Sequence, residues 1–355
     1  MNEDRCLFIL MPSFGASIHI IQKFLFETSS TGKNNSVKKF QKPYFFTFLG
    51  SCGLFLVLIL NLLFNSNSYK TKFKTRAFQI GFLVLGISVL FNLIAGTLSN
   101  ISSLYLNYSV SLMLRSSTLL FGALISKFYL KRNLLKYQWY GILLTIISIL
   151  LIGIAAIMGK SKTTHRNASN EIIAIFIILR IMSKSLQAIS MIIEEKIMNY
   201  SGLAPIEICG LSGIWSLLFS LILLLCMEDN KDTLIMIKNN QTILILSILS
   251  IIIFGLWTIL SLNITKKASA ITRMIFDLLT IVIVWVIQIS IHYIVIGTKY
   301  ELKFGKAGEE WTKWSFLQLI GFVLMILGTC VYQNIIPLSF IKIKDDLIPL
   351  LAENE

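Results

Sequence analysis

The sequence predicts an all-α membrane protein with ten transmembrane helices, arranged as two copies of a five-helix unit. Hydrophobic residues make up 55% of the 355 residues and charged residues only 14%, whereas a soluble chain carries roughly a quarter charged residues. The apolar residues fall into runs of about 20, the length that one helix needs to cross a bilayer. Two arginines inside these runs, Arg115 and Arg273, lie at matching places in the two halves.

Ten apolar runs define the predicted spans. They cover residues 6–27, 44–64, 78–100, 104–130, 136–158, 171–198, 206–227, 241–264, 268–296 and 315–337. The first run begins close to Met1 and lacks a clear small-residue cleavage site, so it is interpreted as a span and not as a cleaved signal. The segments between the runs are short and polar, and none is interpreted as a domain. The predicted units are a first repeat at 1–160, a second at 161–340 and a polar C-terminal tail at 341–355.

Shared motifs indicate the duplication. The fourth and ninth spans both contain Ser-x-x-x-Arg, and the fifth and tenth both begin with Gln-x-x-Gly followed seven residues later by a small residue. The small residues concerned are Gly141, Ser148, Gly321 and Gly328. Since a seven-residue step returns to the same helix face, each pair predicts a smooth stripe for close helix packing. An odd number of spans per copy inserts the copies in opposite orientations, which predicts an inverted repeat.

The net charge of +14 comes mostly from basic residues between the spans, and contact with anionic lipid headgroups explains them. No soluble domain is present to bind nucleic acid, so membrane lipid is the predicted partner. The five cysteines lie in apolar runs without C-x-x-C spacing and are interpreted as small buried hydrophobes. Neither a metal nor a cofactor is predicted, and the absence of a Walker loop argues against an ATP-driven pump.

Ten spans place both termini on one side of the membrane. The loops on the two sides carry nearly equal numbers of basic residues, so the positive-inside rule does not choose between the orientations. Glycosylation sequons at Asn34 and Asn167 lie in loops on the side opposite the termini. They favour cytosolic termini.

Arg115 and Arg273 are the strongest candidates for a substrate site. A charge at bilayer depth costs a few kcal/mol and normally faces a polar cavity or a partner. Arg115 and Arg273 would therefore bind a phosphate or carboxylate, unless they extend to headgroups near the helix ends. Asp277 follows Arg273 by four residues, so it forms either a structural ion pair or a switch that a substrate anion opens.

Further polar residues share faces of the first and sixth spans. Arg180 and Lys184 lie four residues apart on the sixth span, with Gln187 close to the same stripe, and they line an anion path or anchor headgroups. On the first span, His19 and Lys23 also lie four apart. His19 is either proton-linked or a hydrogen-bonded packing residue.

A charged cluster, Glu194, Glu195 and Lys196, closes the sixth span. It is either an interfacial cluster or a gate held by a salt bridge.

Several stretches of the chain are similar to one family. They are Ser17–Lys23, Phe40–Pro43, Leu112–Arg115, Gln138–Gly141, Ile193–Lys196, Thr265–Met274 with Asp277, and Gln318–Gly328. The chain resembles the drug/metabolite transporter superfamily in its nucleotide-sugar-transporter-like branch, nearest to the F-type members of solute carrier family 35. The resemblance implies ten helices in two inverted five-helix repeats, alternating access, and an endomembrane location such as Golgi, ER, lysosome or vacuole. It also implies asparagine where His19 stands, an acidic residue near Ser212 and a basic residue near Thr280.

The predicted function is a secondary transporter, an exchanger or a facilitator, for a small polar anion such as a nucleotide sugar or a phosphorylated metabolite. The alternative is a non-transporting multi-pass interaction protein, and a homodimer is left open. A remote alternative is an intramembrane serine protease, since Gly210–Gly213 contains a G-x-S-G motif. That chemistry would need Ser212 activated by a base such as His292, while the same small residues are ordinary packing material in membrane helices.

Overall fold

The structure, a computed structural model, describes residues 2–72, 76–106, 108–129, 135–158, 170–295, 311–332 and 336. Within these residues the chain forms twelve α-helices, one 3₁₀ turn and a two-stranded hairpin. The helices are α1 (Asn2–Glu27), α2 (Pro43–Lys72), α3 (Arg76–Ser102), α4 (Tyr108–Met113), α5 (Ser117–Tyr129), α6 (Lys136–Met158), α7 (Asn170–Ser201), α8 (Pro205–Met227), α9 (Asn230–Asn239), α10 (Gln241–Lys267), α11 (Ala270–Val295) and α12 (Lys313–Tyr332). The strands are β1 (Ser29–Thr31) and β2 (Val37–Lys39). The predicted tail at 341–355 lies outside the described residues.

Nine of the helices in the described part are long and apolar enough to cross a membrane. Their outer faces expose large apolar side chains, for example Leu63 at 74%, Leu83 at 63% and Ile178 at 58%. A soluble monomer rarely exposes contiguous apolar surface of this kind. The chain is therefore a multi-pass integral membrane protein of the all-α class.

The fourth predicted span is not one continuous helix, which corrects the prediction over 104–130. It is divided into α4, a 3₁₀ turn at Leu114–Ser116, and α5. The hydroxyls of Ser116, Ser117 and Thr118 donate to backbone carbonyls three residues earlier, at 2.6–2.8 Å. A 3₁₀ stretch inside a helix often marks a functional hinge. The break falls at Arg115.

The main helix contacts come in matched pairs. The pairs appear when the long helices of the first half, taken in chain order, are each matched with the long helix at the same place in the second half, with α5 matched to α11. The contact of α3 with α7 is matched by that of α1 with α10, and the contact of α5 with α7 by that of α1 with α11. Likewise α2 packs on α10 while α3 packs on α8. The two remaining large contacts, α2 with α8 and α6 with α12, join helices at equivalent places in the halves.

The contact between α6 and α12 is made by small residues. A Cβ added to Gly141 would lie 2.6 Å from the carbonyl oxygen of Gly328, and one added to Gly328 would lie 2.9 Å from that of Gly141. Further along the helices, a Cβ on Gly321 would lie 3.2 Å from the carbonyl oxygen of Ser148. The two backbones are thus in direct contact, an approach that only small residues permit.

The loop between α1 and α2 packs against the loop between α8 and α10. The hairpin β1–β2 and the short helix α9, here called the loop cap, are joined through Asp232, which contacts Lys38 Nζ at 2.8 Å and Lys42 Nζ at 3.0 Å. The backbone N–H of Lys33 also donates to Asp232, at 3.0 Å. Burial acts to raise the pKa of this carboxyl, but these hydrogen bonds outweigh it and hold the pKa well below its ordinary value. The loop cap ties the two halves of the chain together at the end of α1 that lies away from its N-terminus.

Candidate functional site

A cavity of about 1300 Å³, including the part open to its surroundings, lies between the two halves. Its lining residues come from α1, α2, α3 and α4 with the 3₁₀ turn in the first half, and from α7, α8, α10 and α11 in the second. The helices α6 and α12, which pack on each other through glycine, contribute none of these lining residues. The cavity thus lies between helices of the first half of the chain and helices of the second.

Arg115 is the residue at the break between α4 and α5, and its side chain is only 5% exposed. Its guanidinium donates to Nε2 of His19 on α1 and to Oδ2 of Asp277 on α11, the latter at 3.2 Å. It also lies over the indole ring of Trp257 on α10, 5.5 Å from the ring centroid. The Nε of Arg115 has no hydrogen-bond partner, so this buried cation retains a free donor next to the cavity.

Arg273 forms its ion pair with a different helix from the one that the sequence suggested. Its NH1 contacts Oε2 of Glu194 on α7 at 2.7 Å, whereas Asp277 contacts Arg115. The i, i+4 pair considered between Arg273 and Asp277 is therefore replaced by two pairs between helices. A basic residue that precedes an acidic one by four is the weaker order within a helix, and both arginines find a carboxylate on another element.

The rest of the charged cluster at the end of α7 divides between two environments. Glu195 Oε2 accepts a hydrogen bond from the backbone N–H of Ala270, at 3.1 Å. That N–H belongs to the first turn of α11, where backbone donors lack helical partners, so Glu195 fixes the start of the helix that carries Arg273. Lys196 is exposed.

Arg180 and Lys184 both line the cavity from α7, and each is 5% exposed. Arg180 donates to two backbone carbonyls, those of Ser111 at 3.0 Å and Ser99 at 2.6 Å. Lys184 donates to the amide oxygen of Gln187 at 2.8 Å. These three hydrogen bonds go to neutral oxygens of the protein.

An uncharged polar wall completes the cavity, and sequence reasoning missed it. Gln22 Nε2 donates to Asn100 Oδ1 at 2.8 Å, and Asn100 Nδ2 donates to Thr47 Oγ1 at 2.9 Å. Trp257 presents a buried indole N–H without a hydrogen-bond partner. Single polar and aromatic residues are common in apolar helices, so their types alone do not predict a shared cavity. The amides of Gln22 and Asn100, each near the end of a span, were the available sequence signal.

The remaining candidates lie away from the cavity or act locally. Lys23 is half-buried on α1 and His292 half-buried on α11, and neither is among the residues that line the cavity. Ser212 does line it, but its hydroxyl donates to the backbone carbonyl of Cys209 in its own helix, at 2.7 Å. That hydrogen bond is ordinary helix geometry and gives Ser212 no activating base.

The fold and the cavity together define a multi-pass helical membrane protein with a polar, basic chamber between its halves. No family model matches the chain. Over 239 residues it is 25% identical to the proteins named solute carrier family 35 member F6 of Rattus norvegicus and Homo sapiens, which covers 63% of this chain and 59% of each relative. It is 24% identical over 266 residues to an uncharacterized protein of Schizosaccharomyces pombe, covering 71% of this chain and 74% of that one.

These homologues support membership of solute carrier family 35, and the drug/metabolite transporter superfamily is consistent with them. The aligned region spans 59% of the length of the family 35 relatives. A crystal structure of one protein, 12% identical, matches 93% of this chain and 96% of its own with a TM-score of 0.56. At that identity the likeness concerns the fold alone.

Proposed function

We propose that the protein is a secondary transporter that moves a small polar anion, such as a nucleotide sugar or a phosphorylated metabolite, by alternating access. The proposed architecture has ten spans in two inverted five-helix repeats, with α4 and α5 counted as one interrupted span. The matched contacts between the halves support this architecture. So does the interruption at Arg115, because transporters commonly bind their substrates at broken helices between repeats.

The observation that carries the proposal is the imbalance of charge around the cavity. Four basic side chains line it: Arg115, Arg180, Lys184 and Arg273. Glu194 is the acidic residue among the described lining residues, and Asp277 adds a second carboxylate through its contact with Arg115. An excess of buried charge of one sign costs several kcal/mol. A dianion entering the cavity would remove that excess.

The chemistry of the basic groups suits phosphate and carboxylate. A guanidinium presents donors in a planar fork that matches two oxygens of such an anion, and an ammonium adds a point charge. The free Nε of Arg115 and the indole N–H of Trp257 are further buried donors without partners. Together they supply hydrogen bonds that a substrate would complete.

The ion pair between Arg115 and Asp277 offers a route from binding to movement. It joins α11 of the second half to the α4–α5 break of the first. A substrate anion at Arg115 would compete with Asp277 and so weaken this link between the halves. Binding would then favour the rearrangement that alternating access requires.

The proposed location is an endomembrane, on the basis of the family resemblance, with both termini in the cytosol. Asn34 supports this orientation, because it lies exposed in the turn of the hairpin that follows α1. Asn167, whose sequon favours the same orientation, lies outside the described residues. A cavity filled with apolar side chains would favour the alternative, a non-transporting interaction protein. The cavity of this protein is instead lined by charged side chains.

Uptake of labelled UDP-glucose into proteoliposomes tests the proposal. Arg115→Ala should reduce uptake by about 30-fold or more, since loss of a buried charged partner costs at least about 2 kcal/mol. Arg115→Lys, which keeps the charge but loses the planar fork, should give an intermediate rate. The matched control is Arg76→Ala, at the exposed start of α3, with uptake like that of the wild type.

Elution as a single species in size-exclusion chromatography would show that each variant is folded. Uptake by Arg115→Ala equal to that of the wild type would remove Arg115 from the site. Uptake of UDP-glucose no faster than into empty liposomes would contradict the assignment of a nucleotide sugar.

A further inference from the structure

One histidine lies in direct contact with the central arginine of the cavity. His19 lines the cavity from α1, and its Nε2 atom is hydrogen-bonded to NH1 of Arg115. A guanidinium has donors but no acceptor. The Nε2 atom must therefore accept the bond, so the imidazole is neutral and carries its proton on Nδ1. In this state the histidine has no site for a second proton.

The surroundings of His19 are basic. Arg115 faces it from the break between α4 and α5, and Arg180 and Lys184 act on it from α7. Its own helix supplies the neutral side chain of Gln22. From α11 comes the carboxylate of Asp277, on the other side of Arg115, and α10 contributes the uncharged indole of Trp257 beneath the same guanidinium. Arg115, Arg180 and Lys184 thus place three basic side chains around one imidazole.

Binding of an anion would reverse both conditions. An anion held by Arg115 draws the guanidinium away from His19, which frees the lone pair of Nε2. The negative charge of the anion also offsets the surrounding cations, so that an imidazolium becomes favourable.

We propose that His19 is the group that couples anion movement to a proton. The proposal rests on the proposed function and names its coupling ion. On binding of the anion, Nε2 takes one proton from water, and only hydrogen bonds change elsewhere. When the anion leaves on the other side of the membrane, Arg115 returns to Nε2 and the proton is released there. The result is symport of an anion with a proton.

The residue type at this position makes the coupling testable. The family resemblance implies asparagine where His19 stands, so His19→Asn is a substitution that this fold accommodates. The amide oxygen of asparagine can still accept a hydrogen bond from Arg115, but an amide takes up no proton at neutral pH. If His19 only positions Arg115, that role is retained in His19→Asn. If His19 binds a proton, that role is lost in His19→Asn.

Titration calorimetry of the full-length protein in detergent, in two buffers of different ionisation enthalpy, counts the protons taken up on binding. UDP-glucose is the probe, with sulfate as a second one. Both keep a constant charge near pH 7, unlike a phosphate monoester, which titrates near pH 6. We expect wild-type protein to take up about one proton per UDP-glucose, the capacity of a single imidazole. His19→Asn should bind with an affinity within a few-fold of that value but take up almost none.

His292→Asn is the matched control, because it makes the same change at a span histidine that does not line the cavity. It should take up as many protons as the wild type. In proteoliposomes held at zero membrane potential, wild-type protein should accumulate UDP-glucose about tenfold for each unit of pH gradient, as one coupled proton requires. His19→Asn should accumulate none.

Three results would overturn the proposal, and they are distinguishable. Equal proton uptake by wild-type and His19→Asn protein would place the proton on another group, such as Asp277 or Glu194, while leaving the anion site intact. Anion binding without any proton uptake in the wild type would exclude coupling but again retain the site. Binding of neither UDP-glucose nor sulfate would overturn the proposed anion site itself, and this inference with it.

Discussion

Removal of the negative charge next to Arg115 should both destabilise the empty protein and strengthen anion binding. Asp277→Asn keeps the shape of the side chain and an oxygen that can accept from Arg115, but it leaves the buried guanidinium without a carboxylate. The two charges are 3.2 Å apart. At an effective dielectric constant of about 20, their attraction is about 5 kcal/mol.

Part of that attraction is offset, because the substitution also removes the cost of burying a carboxylate. Loss of one partner of a buried pair typically costs 3–5 kcal/mol. Since the hydrogen bond to Arg115 is retained, we expect the lower end of that range, a loss of about 3 kcal/mol. Anion affinity should rise at the same time, because the substrate no longer competes with Asp277 for Arg115.

Thermal unfolding of the purified protein, followed by tryptophan fluorescence, measures this effect with a double-mutant comparison. Asp277→Asn should lower the Tm more than the double variant that also carries Arg115→Met, since the double variant has no unpaired charge. The reasoning would be refuted if the fall in Tm of the double variant equalled the sum of the falls in the two single variants. It would also be refuted if Asp277→Asn had the Tm of the wild type. A fall in anion affinity in Asp277→Asn would refute the proposed competition.

Three further predictions concern the packing, the loop cap and the orientation. Gly141→Ala should destabilise the protein by about 1–3 kcal/mol through overpacking, because its Cβ would lie 2.6 Å from a backbone oxygen of α12. The control Gly153→Ala, whose Cβ would meet nothing within 4 Å, should leave the Tm unchanged or higher. An equal fall in Tm in the two glycine variants would contradict the direct contact of α6 with α12. The pKa of Asp232 is lower in the folded protein than in the unfolded chain, where it is about 3.9. The ionised carboxylate therefore stabilises the fold above that pH, and the stabilisation is lost as the pH falls below it. Asp232→Asn should abolish this part of the fall in Tm at acid pH, and an unchanged fall would contradict the contribution of Asp232. A glycosidase-sensitive mobility shift in cells should become smaller in Asn34→Gln if the hairpin is lumenal, because the sequon at Asn167 remains. Absence of any shift in the wild type would count against cytosolic termini.

Much of the fold follows from elementary constraints that the sequence displays. In lipid, each span must satisfy its own backbone hydrogen bonds, so a run of about 20 apolar residues predicts a helix with little ambiguity. Nine of the ten predicted spans are long apolar helices in the described residues. The two stripes of small residues, Gly141 with Ser148 and Gly321 with Gly328, can also be predicted from the sequence, since residues seven apart share one helix face.

The features that the sequence did not predict depend on contacts between helices. The run Ser116–Thr118 lies in a stretch apolar enough for a continuous helix, and the 3₁₀ turn at Leu114–Ser116 is visible only in the structure. The choice of partners for Arg115 and Arg273 required knowledge of which helices are neighbours. The loop cap, with its hairpin and α9, lies in polar segments where periodicity gives no signal.

The central claim is that the cavity selects its ligand by negative charge, and a charge series measures this most directly. Equilibrium binding to the purified protein would be compared for UDP-glucose, the neutral nucleoside uridine and the cation choline. The account predicts saturable binding of UDP-glucose that weakens with added salt, with uridine much weaker and choline undetectable. Binding of choline or uridine as tight as that of UDP-glucose would contradict it.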